Sequence, residues 1–383
     1  MSLLRAGLPP RRVHRIAVSS FFFQAGLCFS SWASRIPDIG LKLHLSNAAL
    51  GGVLLALPAG LLTSLPLAGW LVARFGSRPV VIVSALLYAF TLPLIGGTAA
   101  AWQLVVCLFI FGMGGNMLNI SMNTQAIGTE ILYKRTIMAS YHGLWSLAGF
   151  SGAVVGNLMI GLGWLPYQHF LLISALALMI VLAVSGRLIR QDATQGDQPI
   201  FARPDRSLIN LGIIAFCCMI CEGAMADWSG VYFQKVIHPP RGLVAAGYTA
   251  FTATMATGRF LGDWLATKLG IKRILQWSGV LTAGGLLTAV VFPWLFPAIF
   301  GFLLVGAGVS SVVPLVYSAA GRSKTLSPGV ALAAVSTLGY LGFLFGPPFI
   351  GFIAQALNLR VSLGLIAILG SLITVMAART KFE

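Results

Sequence analysis

Gly69-Trp-Leu71-Val-Ala-Arg74-Phe-Gly76-Ser-Arg78 joins two apolar runs, 47–71 and 79–98. Its basic-x-Gly-x-basic core returns as Lys268-Leu-Gly270-Ile-Lys272, between the runs 244–267 and 273–293. A bilayer core about 30 Å thick takes roughly 20 helical residues to cross. Only helices or closed barrels satisfy their own backbone in lipid. Each basic stretch therefore reads as a tight turn between two membrane-spanning helices, and the chain uses that turn twice. A positive φ would favour glycine at Gly76 and Gly270.

Working outward, eight further runs of spanning length appear: 13–34, 103–126, 136–160, 167–186, 207–233, 296–320, 329–351 and 355–378. The expected architecture is all-α and integral to the membrane, with twelve spans. Basic residues near short loops stay on the cytoplasmic side. Placing both termini inside puts nineteen of the 25 Lys and Arg residues in inner segments. Arg35, Lys42, Lys235, Arg241 and Arg360 fall outside, and Arg259 lies within a span. A multi-pass membrane protein with cytoplasmic termini is the expectation.

Composition agrees, with 57% hydrophobic and 9% charged residues, against roughly 25% charged in soluble domains. The net charge of +16 is dispersed over the inner segments without a basic groove or interleaved aromatics, so no nucleic-acid partner is expected. Cys28, Cys107, Cys217, Cys218 and Cys221 sit in apolar runs without metal spacing and read as small buried hydrophobes. The stretch Arg5–Arg15 before an apolar run resembles a signal peptide, but further spans follow and the first run reads as a retained helix.

The two halves look alike. Gly112-Met-Gly-Gly-Asn116 matches Gly306-Ala-Gly-Val-Ser310, and Ser31-Trp32-Ala-Ser34 ends span 1 as Asp227-Trp228-Ser-Gly230 ends span 7. Together with the paired turns, these matches in one order point to a duplicated six-helix unit, a mark of transporter folds. The expected divisions are an N-terminal bundle over 1–186, a cytoplasmic linker over 187–206 and a C-terminal bundle over 207–383.

The Gly69–Arg78 stretch resembles the loop signature of the major facilitator superfamily, Gly-x-Leu-x-Asp-Arg-x-Gly-Arg-Arg. Asn119-Ile-Ser-Met-Asn123, Ser140-Tyr-His142-Gly-Leu-Trp145-Ser and Glu222-Gly-Ala-Met-Ala-Asp227-Trp228 are similar to a bacterial inner-membrane subgroup distantly related to sugar permeases. The resemblance implies two pseudo-symmetric six-helix bundles that rock about a central cavity. It also implies a conformational switch built on Gly69, Arg74, Gly76 and Arg78, with Arg259, Asp263, Gly270 and Lys272 as its counterpart. Ala73 stands where the signature has an acid, so the usual helix-end ion pair is absent; Asp263, four residues after Arg259, can neutralise it on one helix face. Helices 5 and 11, rich in glycine at Gly149, Gly152, Gly156, Gly342, Gly346 and Gly351, are expected to line the contact between halves.

Polar groups at membrane depth carry the functional reading, because each is costly unless it faces protein or water. Glu222 lies near the midplane of span 7 and Asp227 nearer its outer end. The charged form of a carboxylate at that depth is disfavoured, which suits it to taking up and releasing a proton. His142 is a further candidate for proton handling. Asn116, Asn119 and Asn123 fall on one face of span 4, where amides either bind a hydroxylated solute or tie helices together. Gln24, Asn119, Asn123, His142, Trp145, Glu222 and Tyr340 are the candidate substrate residues, since aromatic faces and amides together suit a sugar-like ring.

No phosphate-binding Gly-x-x-x-x-Gly-Lys-Ser/Thr loop occurs, nor an arginine ladder, and neither a metal-ligand cluster nor an enzyme's catalytic set stands out. The expected protein is a monomeric secondary transporter without cofactor, moving a small polar solute through the lipid bilayer with protons. The alternatives are export of amphipathic compounds and a non-transporting membrane sensor or scaffold.

Overall fold

The computed structural model describes residues 10–134, 137–190, 206–322 and 328–380. Among them there is no strand. The described residues form twelve long helical segments, here α1 Pro10–Lys42, α2 Asn47–Phe75, α3 Ser77–Gly97, α4 Ala101–Tyr133, α5 Met138–Gly161 and α6 Pro166–Val184 in the first half. The second half holds α7 Arg206–Tyr232, α8 Ala246–Leu269, α9 Ile271–Val291, α10 Leu295–Ala320, α11 Pro328–Ala356 and α12 Leu359–Arg379. Eleven are long and apolar enough to cross a membrane. The twelfth, α8, has the length, at 24 residues, but carries Arg259, Asp263 and Lys268. Most of the linker expected over 187–206 lies outside the described residues.

Proline sets the irregularities. α2 is broken at Leu55 and at Ser64, since Pro58 and Pro66 have no N–H to offer the carbonyls four residues earlier. α10 breaks at Ser310–Ser311, where Pro314 likewise leaves the Ser310 carbonyl without a donor. Gly76 and Gly270 adopt the same unusual backbone, with φ 82° and 80° and ψ 159° and 150°. Only glycine holds that conformation without strain, which is the reason both turns contain one.

Helices pair in the same pattern in both halves. α1 packs on α5 as α7 does on α11, α2 on α4 as α8 on α10, and α3 on α6 as α9 on α12. The α2–α4 and α8–α10 crossings match residue for residue. A Cβ on Gly112 would strike the Leu57 carbonyl, and one on Gly306 would strike the Phe251 carbonyl. One turn along, Gly60 lies against the Phe109 carbonyl, whereas its counterpart Thr254 donates its hydroxyl to Leu303 O at 2.7 Å. One turn further, Asn116 donates to Ser64 Oγ at 2.9 Å, whereas Gly258 packs on Ser310.

Between the halves, α2 meets α11, α5 meets α8 and α1 meets α7. The named contacts cluster at the face away from the termini. Gly51 and Gly351 bring their backbones together there, and a Cβ on Gly51 would lie 2.7 Å from Pro347 O. Lys235 donates to Asn47 Oδ1 at 2.7 Å and Asn47 to Ala354 O at 3.4 Å. The backbone N–H of Ala245 donates to Asn157 Oδ1 at 3.1 Å. Helices 5 and 11 line this contact as expected, but their glycines divide. Gly152 and Gly156 pack on α1, and Gly342 and Gly346 pack on α7, all inside their own halves; Gly351 alone of those named reaches the other half.

The ends of the helices differ most from the hydropathy reading. α1 runs on to Lys42 and α4 to Tyr133, because a helix outlasts its apolar run when its polar residues find partners. Arg35, expected in a gap, is 1% exposed on α1. It pairs with Asp38 at 2.5 Å and donates to His169 Nδ1 at 3.2 Å and Trp164 O at 2.9 Å. Cys28, Cys217, Cys218 and Cys221 are buried as free thiols, and Cys107 is half-buried.

Candidate functional site

A central cavity of about 330 Å³ lies between the halves. α1, α2, α4 and α5, with Tyr88 of α3, wall it from one side and α7, α8, α10 and α11 from the other. α7 is positioned by burial, with Cys218 and Cys221 turned towards Val309 O and Ile366 O, so that Glu222 and Asp227 face the cavity. α5 presents His142 and Trp145 one helical turn apart, Tyr141 being directed into the core against Phe22 at 5.3 Å.

The centre of the site is an ion pair that joins three helices. Arg259 on α8 reaches Glu222 on α7, Nη2 to Oε1, at 3.3 Å. Its other amino group donates to Ser146 Oγ on α5 at 2.8 Å, and its guanidinium lies 5.4 Å from the Trp145 ring centroid. Glu222 and Arg259 side chains are 15% and 20% exposed, so both retain access to the cavity. Removing either partner would leave a charge in a low-dielectric site, where an unpaired ion is costly. Arg259 is thus shared between its own half and the facing one.

Of the candidate residues, Asn119, His142, Trp145, Glu222, Asp227 and Tyr340 come together around this space. Asn123 does not line it; its amide donates to Asn119 Oδ1 at 2.9 Å and to Asn119 O at 2.8 Å, presenting Asn119 from behind. Gln24 lies fully buried against α3, donating to Ala85 O at 3.2 Å. Asn116 lines the cavity while its amide nitrogen is held by Ser64. Gln125 turns the opposite way, joining Ser77 Oγ and the backbone of Ile189.

The residues read as a switch divide between two places. Gly69, Arg74 and Lys272 are exposed and Arg78 is half-buried, all on the termini side, with Gly76 and Gly270 at the turns. Arg259 instead lies in the cavity, on Glu222 and Ser146. The Asp263 side chain lies outside the described residues, so the expected pair between Arg259 and Asp263 has no described geometry.

Sequence reading missed Arg259 as a cavity group, although an arginine in mid-span needs an acid nearby and Glu222 was the only central one. It also missed the aromatic end of the cavity. There Tyr88 stacks on Phe111 with centroids 3.9 Å apart, and Tyr248 lies 6.3 Å from Phe251. Exposed Trp70 and Trp264, at 57% and 55%, are a further matched pair. Trp264 carries Lys268 Nζ 4.6 Å above its ring, and Trp70 meets Phe75 edge-on at 5.9 Å.

Known proteins share this fold. An uncharacterized MFS-type transporter of Yersinia pestis is 33% identical, over 93% of this chain and 92% of its own. In three dimensions the chain resembles a bacterial homologue of the human lysosomal transporter Spinster, in its inward-facing and unoccupied conformation, with a TM-score of 0.78 at 14% identity over 98% of each chain. It also resembles a single-substitution variant of the E. coli fucose:proton symporter FucP, with a TM-score of 0.64 at 17% identity over 98% of this chain and 100% of that one. At such identities these likenesses speak to the fold alone. The description of the Major Facilitator Superfamily matches residues 17–327, and with the duplicated helix plan and the cavity between its halves this chain belongs to that superfamily.

Proposed function

We propose that this protein is a secondary active transporter that moves a small polar, sugar-like solute across the bacterial inner membrane by alternating access, coupled to protons. The observation that carries the reading is the Glu222–Arg259 pair, set in the cavity and bridging to Ser146 of the facing half. A proton arriving on Glu222 removes its hold on Arg259, and the guanidinium is then free to exchange partners as the halves move. Asn119, Tyr340 and Trp145 supply hydrogen-bonding groups and an aromatic face for a hydroxylated ring. The fucose:proton symporter of the same fold handles cargo of that kind.

With both termini cytoplasmic, the contacts among Asn47, Gly51, Lys235 and Gly351 form an outer gate and this conformation faces inward. Gly76, Arg78, Gly270 and Lys272 then sit at the inner surface, where they act on switching and not on recognition. Transport by the purified monomer in proteoliposomes tests the whole reading. Saturable uptake of a hydroxylated solute that follows an imposed pH gradient is expected; a protein without saturable flux is a sensor or scaffold instead. For orientation, a cysteine probe introduced at His238 should label from outside intact cells and one at Gln195 should not.

Export of amphipathic compounds is a second reading, favoured by the apolar walls around Phe29, Phe111, Met219, Phe251, Met255 and Phe343. Saturation by a hydrophobic dye, uncompeted by sugars, would select it.

A further inference from the structure

The charges lining the cavity do not balance. Glu222 and Arg259 neutralise one another, and the other acid that lines the cavity is Asp227. Its carboxylate is half-buried, lines the cavity, and makes no hydrogen bond or ion pair with any described residue. It lies five residues beyond Glu222 on α7, about 7.5 Å along the axis at 1.5 Å per residue. That distance takes it from the ion pair towards the aromatic end of the cavity. Tyr88 and Tyr248 line the same cavity as Asp227. Tyr88 in turn lies on Phe111, and Tyr248 beside Phe251.

An unpaired carboxylate that faces a cavity at membrane depth marks a substrate or ion path. Aromatic faces attract cations through the ring quadrupole. Coulombic attraction is strengthened where water is scarce. A carboxylate that shares its cavity with four such rings therefore has the chemistry of an ammonium site, and the amides and hydroxyls that also line it remain available for hydroxyl groups.

We propose that the transported solute is a hydroxylated amine, its ammonium group held by Asp227 among Tyr88, Phe111, Tyr248 and Phe251. The assignment rests on the transporter reading above and names the substrate class for the same cavity. It separates the roles of the two acids on α7: Glu222 is tied to Arg259, and Asp227 is left for cargo. A neutral sugar would leave Asp227 without a partner, and a sugar acid would face its repulsion.

The test uses the full-length purified protein, with two sets of solutes that differ chiefly in charge: glycerol, serinol and glycerate, and glucose, glucosamine and glucuronate. Ligand-induced shifts of the unfolding midpoint give the half-saturating concentration of each. One of the two amines should bind about 30-fold more tightly than its neutral partner, the order expected for a largely desolvated charge pair, and the acids should give no shift. Asp227→Asn should remove that preference and Asp227→Glu restore most of it. If Asp227→Asn does not fold, the wild-type preference still decides, and Tyr248→Ala should weaken amine binding selectively. Equal binding of amine and neutral solute, or preference for an acid, would overturn the amine assignment and leave the polar-solute reading standing. A preference that survives Asp227→Asn would remove Asp227 from the site. No shift with any of the six would sink the amine and sugar-like readings together.

Discussion

The two six-helix halves cross their helices at the same points with different chemistry. In the first half, α2 and α4 approach through Gly60 and are clasped by Asn116 on Ser64; in the second, Thr254 clasps Leu303 and the close approach moves to Gly258. Each half has a tight point and a hydrogen-bonded point, in opposite order. What duplication preserved is the distance between helix axes, which either a glycine or a short polar clasp can hold. Without a hydrophobic drive between helices in lipid, small residues and interhelical hydrogen bonds carry association. The shared contacts of Gly112 with Leu57 and of Gly306 with Phe251 are the fixed points of that plan.

The halves diverge further at the cavity. The first contributes amides, His142, Trp145 and stacked aromatic rings, and the second contributes Glu222, Asp227 and Arg259. Neutral polar groups of the first half face the charged groups of the second across the interface, and Arg259 spans it. A rocking motion that parts α5 from α8 has to release Ser146 and Trp145 from that guanidinium. In the proposed mechanism this connects switching to the ionisation of Glu222.

The strongest test of this division is Glu222→Gln. Accumulation driven by a pH gradient should fall on the order of 100-fold, the upper range of a coupling energy between two sites. Exchange of solute across a liposome without a gradient should persist in part. If the variant still accumulates solute with the gradient, the charged half is not the coupling half. His142 and Asp227 are the next groups to test.

Equivalence of the two crossings is checked by Gly112→Val and Gly306→Val. Each should destabilise by roughly 2–3 kcal/mol, as overpacking against a backbone carbonyl does. The melting midpoint in detergent should fall alike for both. An unaffected second half would mean the crossings are alike in outline only.

The paired turns permit a smaller comparison. Gly76→Ala and Gly270→Ala force a side chain into a backbone region that is nearly exclusive to glycine, at about 1–2 kcal/mol each. Turnover should drop several-fold in both while the half-saturating substrate concentration stays put, and Arg78→Ala should behave likewise. A parallel loss of affinity would move this turn from switching to recognition. Smallest is Thr254→Val, which removes the hydroxyl from Leu303 O and should cost about 1 kcal/mol. Gly60→Ala, at the matching point of the other half, should cost more, because its Cβ has no room beside the Phe109 carbonyl.

By itself the sequence determined the membrane, the helix count and the duplication. Apolar runs must match bilayer thickness, a backbone in lipid must be helical, and the Gly76 and Gly270 turns need glycine at positions that repeat. All three are local properties, written in composition and spacing. It also singled out Glu222, Asp227, Asn119, His142, Trp145 and Tyr340, because polarity at membrane depth is visible in one dimension. Direction around a helix and partnership between helices are not visible there. Periodicity placed Asn116, Asn119 and Asn123 on one face, yet Asn116 is held by Ser64 and Asn123 by Asn119. Gln24 sits in mid-span like Glu222, yet it turns to α3. Arg259 lies with its guanidinium on Glu222, 37 residues away in the chain. Only the tertiary structure decided those partners, because a buried charge takes the counter-ion that packing brings within reach, and packing is set by every helix at once.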